Sequence, residues 1–295
     1  MLDFRTDTFL CVCKYRNFTR AAEELNLTQP CVSQHIRYLE KYYGVKLFSY
    51  DNKTLRLTEP GEKIHNALLS FRHDEIHLKE SVRSSGRQAE KLKFGATLSI
   101  GEYCLPDKLA RFLQHGGPVE VELTVSDTRD LLSRLDSGAI DFALIEGFFK
   151  KTDYDCIRIQ KEELVAVRGA DYPLGDVGSV ADLFDCHLIT REPGSGTREV
   201  LERYLTENGY SISRFSRRST VNDLPVILKL LERNLGIGFL YRSVVEKEIQ
   251  NGRLVPIEIP DCRISHEFNF IWRKSSIFSD RYRSLFRRLL KDETD

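Results

Sequence analysis

No run of about 18 consecutive apolar residues occurs in the 295-residue sequence, so we predict no transmembrane helix. The N-terminal stretch Met1-Leu2-Asp3-Phe4-Arg5 is charged and leads into an amphipathic segment, unlike a secretion signal. We therefore expect a cytoplasmic protein. Neither sign of charge is in excess, because Lys plus Arg and Asp plus Glu both number 44. Charge alone therefore gives no reason to expect nucleic acid as a partner.

The seven cysteines lack the spacing of a metal site or of a disulfide framework. They are odd in number, scattered and without a CxxC pair: Cys11, Cys13, Cys31, Cys104, Cys156, Cys186 and Cys262. The histidines likewise show no metal-ligand spacing. We predict free thiols, no metal site and no cofactor.

Motifs of nucleotide-binding and hydrolytic enzymes are also incomplete. The glycine-rich stretch 194–196 lacks the lysine of a phosphate-binding loop, and Gly236-Ile237-Gly238 lacks the third glycine of a dinucleotide turn. No Ser-His-Asp or Cys-His arrangement can be assembled from the sequence. The sequence therefore does not indicate an enzyme.

The first sixty residues show three helical patterns and then a hairpin pattern. A first amphipathic helix surrounds Phe9, and Thr19 and Thr28 are predicted to cap a second and a third helix. After Gly44 the apolar period changes to two on either side of Asp51-Asn52-Lys53, a turn signal. This pattern predicts a two-stranded wing.

The predicted third helix has two chemically different faces. Val32, Ile36 and Leu39 form an apolar stripe, and the opposite side carries polar residues, namely Gln29, Ser33, Gln34 and Arg37. Gln pairs well with adenine, Arg with guanine or phosphate, and Ser with either bases or phosphates. The arrangement fits the base-reading helix of a helix-turn-helix, and an ordinary solvated helix face is the alternative.

A long helical pattern follows Pro60-Gly61, over residues 62–84. Its apolar positions alternate at spacings of four and three, as in a coiled coil: Ile64, Leu68, Phe71, Leu78 and Val82. Glu75 interrupts this seam, and it either sets the register or leaves Ile76 to share the interface. We predict dimerisation through the seam; the alternative is a helix packed on its own chain. Ser84-Ser85-Gly86 predicts a hinge.

Beyond Lys91, strand and helix patterns alternate, which predicts parallel sheets covered by helices. The strand candidates are 92–97, 119–125, 140–145, 164–167, 187–190, 237–240 and 268–272, and the helix candidates are 102–114, 128–137, 198–207, 223–233 and 242–250. A region of about 200 residues is long for one lobe, so we predict two.

The stretch 17–40, NFTRAAEELNLTQPCVSQHIRYLE, closely resembles the N-terminal motif of LysR-type transcriptional regulators. The continuations 44–48, GVKLF, and 57–61, LTEPG, are similar to the same family. The resemblance implies a winged helix-turn-helix, here residues 1–60, and a linker with dimerisation helix and hinge over 61–90. It also implies a homodimer or homotetramer on a partly palindromic site in double-stranded DNA.

The motif departs from the family at two positions. Cys31 stands where Ser or Ala is usual, and Tyr50 stands where the family places a phosphate-binding Arg. Lys53 and Arg56 are candidates to replace that contact. The predicted DNA-binding residues are Thr28, Gln29, Pro30, Ser33, Gln34, Arg37, Lys53 and Arg56.

Residues 91–295 are similar to the LysR effector domain, which has the α/β, two-lobed architecture of periplasmic binding proteins. The resemblance rests on FGATLSIG at 94–101, GAIDFALI at 138–145, ELV at 163–165 and LGIGFL at 235–240. It implies a first lobe of 91–163 plus 267–295 and a second lobe of 164–266. The family usually has Pro where Tyr241 stands.

Several polar residues lie where strands of this region meet helices, which is where open α/β sheets bind ligands. The candidates for contacting an effector are Thr97, Ser99, Thr128, Glu146, Arg191, Ser195 and Thr197. Hydroxyls, backbone N–H groups and a cation suit a small carboxylate or other anionic metabolite. The threonines could equally be helix caps, and Arg191 and Glu192 a surface pair.

Two other functions compete with a ligand-responsive regulator. The C-terminal region alone would fit a solute-binding protein, but the absence of a secretion signal and the DNA-binding motif argue against it. A DNA-binding thiol sensor would use two neighbouring cysteines, whereas Cys186 and Cys262 are far apart in sequence.

Overall fold

The N-terminal segment folds as three helices and a hairpin. The computed structural model describes residues 3–51, 54–84, 90–115, 117–260 and 262–291. The helices are α1 (Phe4–Tyr15), α2 (Phe18–Glu24) and α3 (Gln29–Tyr43), and the strands β1 (Phe48–Asp51) and β2 (Thr54–Leu57) pair antiparallel. The predicted winged helix-turn-helix is confirmed, although the turn residues Asn52 and Lys53 lie outside the described part.

Side-chain caps determine where these helices begin. Thr28 caps α3 as predicted, because its hydroxyl accepts a hydrogen bond from the backbone N–H of Cys31. Thr19 was the wrong cap for α2: the side chain of Asn17 accepts from the N–H groups of Thr19 and Arg20 instead. Asn17 precedes the first helical residue, whereas Thr19 already lies inside the first turn.

The helices share one small apolar core with the hairpin. Ala21 and Ala22 are buried on α2, and their small size lets the other helices approach closely. The core also contains Phe9, Val12, Val32, Ile36, Leu39, Leu47 and Leu55. Gly44 ends α3 with φ +70°, and a Glu40 carboxylate oxygen accepts a 3.0 Å hydrogen bond from Leu47 N. These contacts fix the wing relative to α3.

A single long helix, α4 (Glu59–Ser84), joins the N-terminal core to the rest of the chain. It begins three residues before the predicted start, and Leu68 on it is buried in the N-terminal core. Gly61 is required where α4 meets the hairpin, since a Cβ there would lie 2.2 Å from the carbonyl oxygen of Leu47. The predicted hinge at 84–86 falls mostly outside the described residues.

The C-terminal region is an α/β structure. Its elements are β3 (Glu90–Ala96), α5 (Pro106–His115), β4 (Val119–Val125), α6 (Thr128–Ser137), β5 (Phe142–Ile145), β6 (Tyr154–Gly169), β7 (His187–Thr190), α7 (Gly196–Glu207), β8 (Arg217–Thr220), α8 (Leu224–Glu232), β9 (Ile237–Tyr241), α9 (Arg242–Gln250), β10 (Leu254–Pro256), β11 (Ile264–Arg273) and α10 (Ser279–Leu290). Strands β8 and β10 and helix α10 were not predicted from the sequence.

The strands form one mixed sheet in the order β4-β3-β5-β11-β6-β9-β7-β8, with β10 beside β6. The expectation of purely parallel sheets was wrong. Pairs β3/β4, β3/β5, β7/β8 and β7/β9 are parallel, but β11 runs antiparallel to β5 and β6, and β6 antiparallel to β9. The two longest strands, β6 and β11, pair along ten residues and run from one lobe into the other.

Candidate DNA interface and inter-lobe cleft

Helix α3 presents a polar face to solvent. Val32, Ile36 and Leu39 are buried beneath it, as the apolar stripe predicted. The predicted reading residues Thr28, Gln29, Pro30, Gln34 and Arg37 are exposed, and Ser33 is half-buried. Gln29 Nε2 donates a 2.9 Å hydrogen bond to Ser33 Oγ, which orders these two side chains. The exposed face of this helix therefore carries both hydrogen-bond donors and hydrogen-bond acceptors.

His35 holds α3 against α1, a role that the sequence did not suggest. Its Nδ1 lies 2.9 Å from Thr8 Oγ1, and its Nε2 lies 3.5 Å from Cys31 Sγ. The guanidinium of Arg5 stacks over the Tyr38 ring at 3.9 Å. Fixed packing of this kind is what a recognition helix requires.

Within the described part of the wing, one cationic side chain and one tyrosine hydroxyl are exposed to solvent. Arg56 is exposed and lies 3.3 Å from the carboxylate of Asp51. Tyr50, opposite Leu55 in the hairpin register, is 71% exposed. Lys53, the other predicted phosphate contact, lies outside the described residues. Tyr50 can therefore donate a hydrogen bond from the wing, but it brings no charge.

One face of α4 packs on the first lobe of its own chain through a buried polar network. Asp74 accepts hydrogen bonds from Ser276 Oγ at 2.5 Å and Ile277 N at 2.9 Å. His77 Nδ1 lies 3.0 Å from Asp141 Oδ1. Burial opposes ionisation of Asp74 and Asp141, yet their hydrogen bonds lower both pKa values. The alternative prediction, that the long helix packs on its own chain, is therefore correct for this face of α4.

Another face of α4 carries an exposed apolar stripe. Phe71, Leu78 and Val82 are 57%, 48% and 65% exposed, and Ile64 is half-buried. Exposed apolar side chains in line on one helix are typical of an interface. Of the predicted seam residues, only Leu68 is fully enclosed by its own chain.

A buried polar cluster surrounds Glu146, which directly follows β5 and is 1% exposed. Its Oε1 accepts hydrogen bonds from Ser99 Oγ at 3.2 Å and Thr197 Oγ1 at 3.1 Å. Ser99 belongs to the first lobe and Thr197 to α7 of the second. Burial raises the pKa of Glu146, and the nearby charge of Arg191 lowers it in part.

Two glycines allow the close contacts of this cluster, Gly196 between the two lobes and Gly147 within the first lobe. A Cβ on Gly196, at the start of α7, would lie 2.5 Å from Glu146 Cγ. A Cβ on Gly147 would lie 2.2 Å from Thr128 Oγ1. No other residue type could bring these backbones together without displacement.

The remaining predicted residues surround the same carboxylate. Arg191 is 2% exposed, so it does not form a surface pair with Glu192; their two hydrogen bonds of 2.8 Å are partly buried. Thr97 and Thr128 are buried, and neither caps a helix: Asp127 caps α6 in place of Thr128, and the Thr97 hydroxyl accepts no hydrogen bond from a described residue. Ser195 does cap α7, accepting from Arg198 N at 3.3 Å.

Five buried polar atoms of this cluster have no hydrogen-bond partner among the described residues. They are Thr97 Oγ1, Thr128 Oγ1, Glu146 Oε2, Arg191 Nη1 and Tyr241 OH. Tyr241 was noted only as a departure from the family pattern. Its ring is fully buried, and burial first, then the charge of Glu146, raises its pKa. Such atoms are costly to bury unless a further molecule satisfies them.

No disulfide joins the cysteines, all of which lie in the described part of the chain. All seven are free thiols. Burial raises the pKa of Cys104 to about 11 and also raises that of Cys262, so both hold less reactive thiolate than a free cysteine.

Within the described ranges, no cluster of three or more His, Cys, Asp or Glu side chains could hold a metal ion. No helix in that part of the chain is long and apolar enough to cross a membrane.

Comparison with known proteins relates both halves of the chain to one family. Residues 5–62 match the model of the bacterial regulatory helix-turn-helix protein, lysR family, and residues 85–294 match that of the LysR substrate binding domain. The RuBisCO operon transcriptional regulator of Allochromatium vinosum is 27% identical over 276 residues, covering 92% of this chain and 89% of that protein.

Solved full-length structures share the fold. The regulator LysG of Corynebacterium glutamicum with bound effector arginine has a TM-score of 0.61 at 17% identity, covering 98% of this chain and 97% of that one. CbnR in complex with its target DNA has a TM-score of 0.53 at 20% identity, covering 99% of this chain and 100% of that one. The named relatives are transcriptional regulators rather than enzymes. With both family models matched along nearly its whole length, the chain belongs to the LysR family of DNA-binding transcriptional regulators, with an effector-binding domain.

Proposed function

We propose that this regulator changes its action at a promoter when a small effector with a carboxylate or similar anionic group binds between the two lobes. The observation that carries the proposal is the buried cluster around Glu146, to which both lobes contribute. Arg191 Nη1 is a charged donor without a partner among the described residues, and the hydroxyls of Thr97 and Thr128 are further unpaired donors. An anionic group on the effector would satisfy them.

The DNA-contacting part of the proposal rests on α3. Its exposed residues Gln29, Gln34 and Arg37 would read base edges in the major groove, and Thr28 and Pro30 would lie beside the phosphates. Arg56 and Tyr50 would contact the backbone from the wing.

We propose a homodimer, or a tetramer built from two dimers, joined through the apolar stripe of Phe71, Leu78 and Val82. The exposure of these residues supports this assembly. A two-fold arrangement would place two α3 helices on a partly palindromic site, because the symmetry of protein and DNA must correspond. The proposed place of action is the cytoplasm.

The test measures DNA affinity with and without effector. Double-stranded sites are selected from random DNA with the full chain, and small carboxylates are then screened by thermal shift, since a bound ligand stabilises the folded state. A positive compound should also change the affinity for, or the footprint on, the selected site.

Two variants locate the response. Ser99→Ala removes a cleft hydroxyl and should abolish the effector shift while DNA affinity is unchanged. Ser137→Ala, on the exposed last turn of α6, is the matched control and should respond normally. Equal responses of both variants would place the effector outside the cleft.

A further inference from the structure

Glu146 is a buried acidic group that forms no ion pair with a neighbouring side chain among the described residues. Both groups that donate to its Oε1 are neutral hydroxyls. The cation close to it, Arg191, already forms two hydrogen bonds with the carboxylate of Glu192. Arg191 is therefore paired with Glu192, and its charge lowers the pKa of Glu146 only in part against the effect of burial.

The acidic group and the basic group of this cluster each have one polar atom without a hydrogen-bond partner among the described residues. Glu146 Oε2 lacks a donor, and Arg191 Nη1 lacks an acceptor, among the described residues. Both side chains are at least 98% buried, with exposures of 1% and 2%. A carboxylate oxygen only accepts, and a guanidinium N–H only donates, so one simple ion cannot satisfy both.

We propose that the effector is a small zwitterion, an amino acid, whose ammonium group binds Glu146 and whose carboxylate group binds Arg191. This inference rests on the proposed function and defines the effector class for the same cleft. A dicarboxylate would bring a second negative charge against Glu146, which costs binding energy in a buried site. A simple amine would leave Arg191 Nη1 unpaired. Only a molecule with both charges complements the pair.

A cavity that shares Thr128 with the cluster, although neither Glu146 nor Arg191 lines it, would take the rest of such a molecule. Its volume is about 640 Å³, and Thr128 belongs both to its wall and to the polar cluster. Phe148 and Gly194, from the two lobes, also line it. The ammonium and carboxylate would lie at the buried end, and the amino acid side chain would extend into this cavity.

The experiment compares matched compounds that differ in one charged group. Each set contains an L-amino acid, the 2-hydroxy acid with the same side chain and the amine that lacks the carboxylate, for example alanine, lactate and ethylamine or phenylalanine, phenyllactate and phenethylamine. Isothermal titration against the full chain at neutral pH gives the dissociation constants. At least one amino acid should bind, at least about tenfold tighter than both of its analogues.

The variant Glu146→Gln separates a charge contact from a structural role. It keeps the size of the side chain and removes its charge, so the advantage of the amino acid over the hydroxy acid should fall to about threefold or less. A purely structural role would weaken both compounds equally. Glu207→Gln, in an exposed pair with Arg203, is the control and should preserve the preference.

The results distinguish the two proposals. A hydroxy acid, dicarboxylate or amine that binds as tightly as every amino acid tested overturns the zwitterion, as does no binding by any amino acid at about 10 mM. A carboxylate without an amino group that binds and is lost in Ser99→Ala would leave the proposed cleft intact. Amino acid binding that is unchanged in both Ser99→Ala and Glu146→Gln would mean that the cleft itself was wrongly assigned.

Discussion

Glu146 and Thr197 are joined across the two lobes by a 3.1 Å hydrogen bond, with the threonine hydroxyl donating to the carboxylate. Glu146 follows β5 of the first lobe, and Thr197 lies in the first turn of α7 in the second. A specific polar contact therefore joins the two predicted lobes. Anything that lengthens this contact should change both lobe closure and effector binding.

Gly196→Ala should disturb lobe closure directly. The added Cβ would lie 2.5 Å from Glu146 Cγ and 2.9 Å from Gly147 N, so the lobes must separate or distort. We expect a loss of about 1–3 kcal/mol in the free energy of unfolding, as for other overpacked sites, together with a weakened effector response. Urea denaturation and thermal shift measure the two effects.

Gly175→Ala is the matched control for that substitution, because a Cβ there meets no atom within 4 Å. It should be as stable as the unsubstituted protein. Equal stability of the two variants would show that the lobes do not meet closely at Gly196 in solution.

Glu146→Gln should raise stability at alkaline pH. Burial raises the pKa of Glu146 in the folded state, whereas the unfolded value is about 4.3. Below the unfolded pKa the carboxyl is protonated in both states and imposes no cost. As the pH rises through the folded pKa, ionisation in the buried site lowers stability, so the variant should gain more at pH 8 than at pH 5.

Thermal unfolding at several pH values checks this dependence. Glu207→Gln should show no such gain, since Glu207 is exposed beside Arg203. A stability difference for Glu146→Gln that stays constant between acid and alkaline pH would contradict the raised pKa.

Arg37→Ala should weaken specific DNA binding by about 1–3 kcal/mol if its guanidinium reads a base. Arg37 is exposed on α3, and its loss disturbs no core contact. Fluorescence anisotropy with a selected site measures the affinity. Gln29→Ala should behave similarly, and Gln114→Ala, an exposed glutamine on α5, is the control. Unchanged affinity in both α3 variants would sink the recognition-helix assignment.

Leu78→Glu should convert the assembly to monomers and reduce affinity for a palindromic site. The leucine is 48% exposed within its own chain, so the monomer fold should tolerate the change. Leu113→Glu introduces the same charge at a 47% exposed leucine on α5 and should leave the assembly intact. Sedimentation velocity distinguishes the two. A dimeric Leu78→Glu protein would place the interface elsewhere.

The N-terminal fold could be predicted almost completely. The stripe of Val32, Ile36 and Leu39, the Thr28 cap and the period-two wing are local patterns, set by neighbours within a few residues. The error at Thr19 was also local, since two capping residues, Asn17 and Thr19, compete within one turn.

The loose alternation in the C-terminal region predicted helices and strands but not their directions in the sheet. Strand β11 pairs antiparallel with β6, more than 90 residues earlier, and nothing in either segment alone specifies that pairing.

The sequence predicted which residues to consider at the candidate site, but it did not predict the burial or the hydrogen bonds of their side chains. The sequence by itself determined the winged helix-turn-helix, the polar face of α3 and the apolar stripe of α4, because these depend on periodicity along one element. Only the tertiary structure decided that Arg191 is buried, that Ser195 is committed to a cap and that Glu146 is buried with one oxygen lacking a donor among the described residues. The physical reason is distance along the chain: Ser99, Glu146 and Thr197 are separated by 47 and 51 residues, so their hydrogen bonds form only in the folded protein, and the bond from Thr197 also needs the two predicted lobes to meet. Which of these polar groups are paired depends on several segments that meet only in the folded protein, so no single segment of the sequence predicts it.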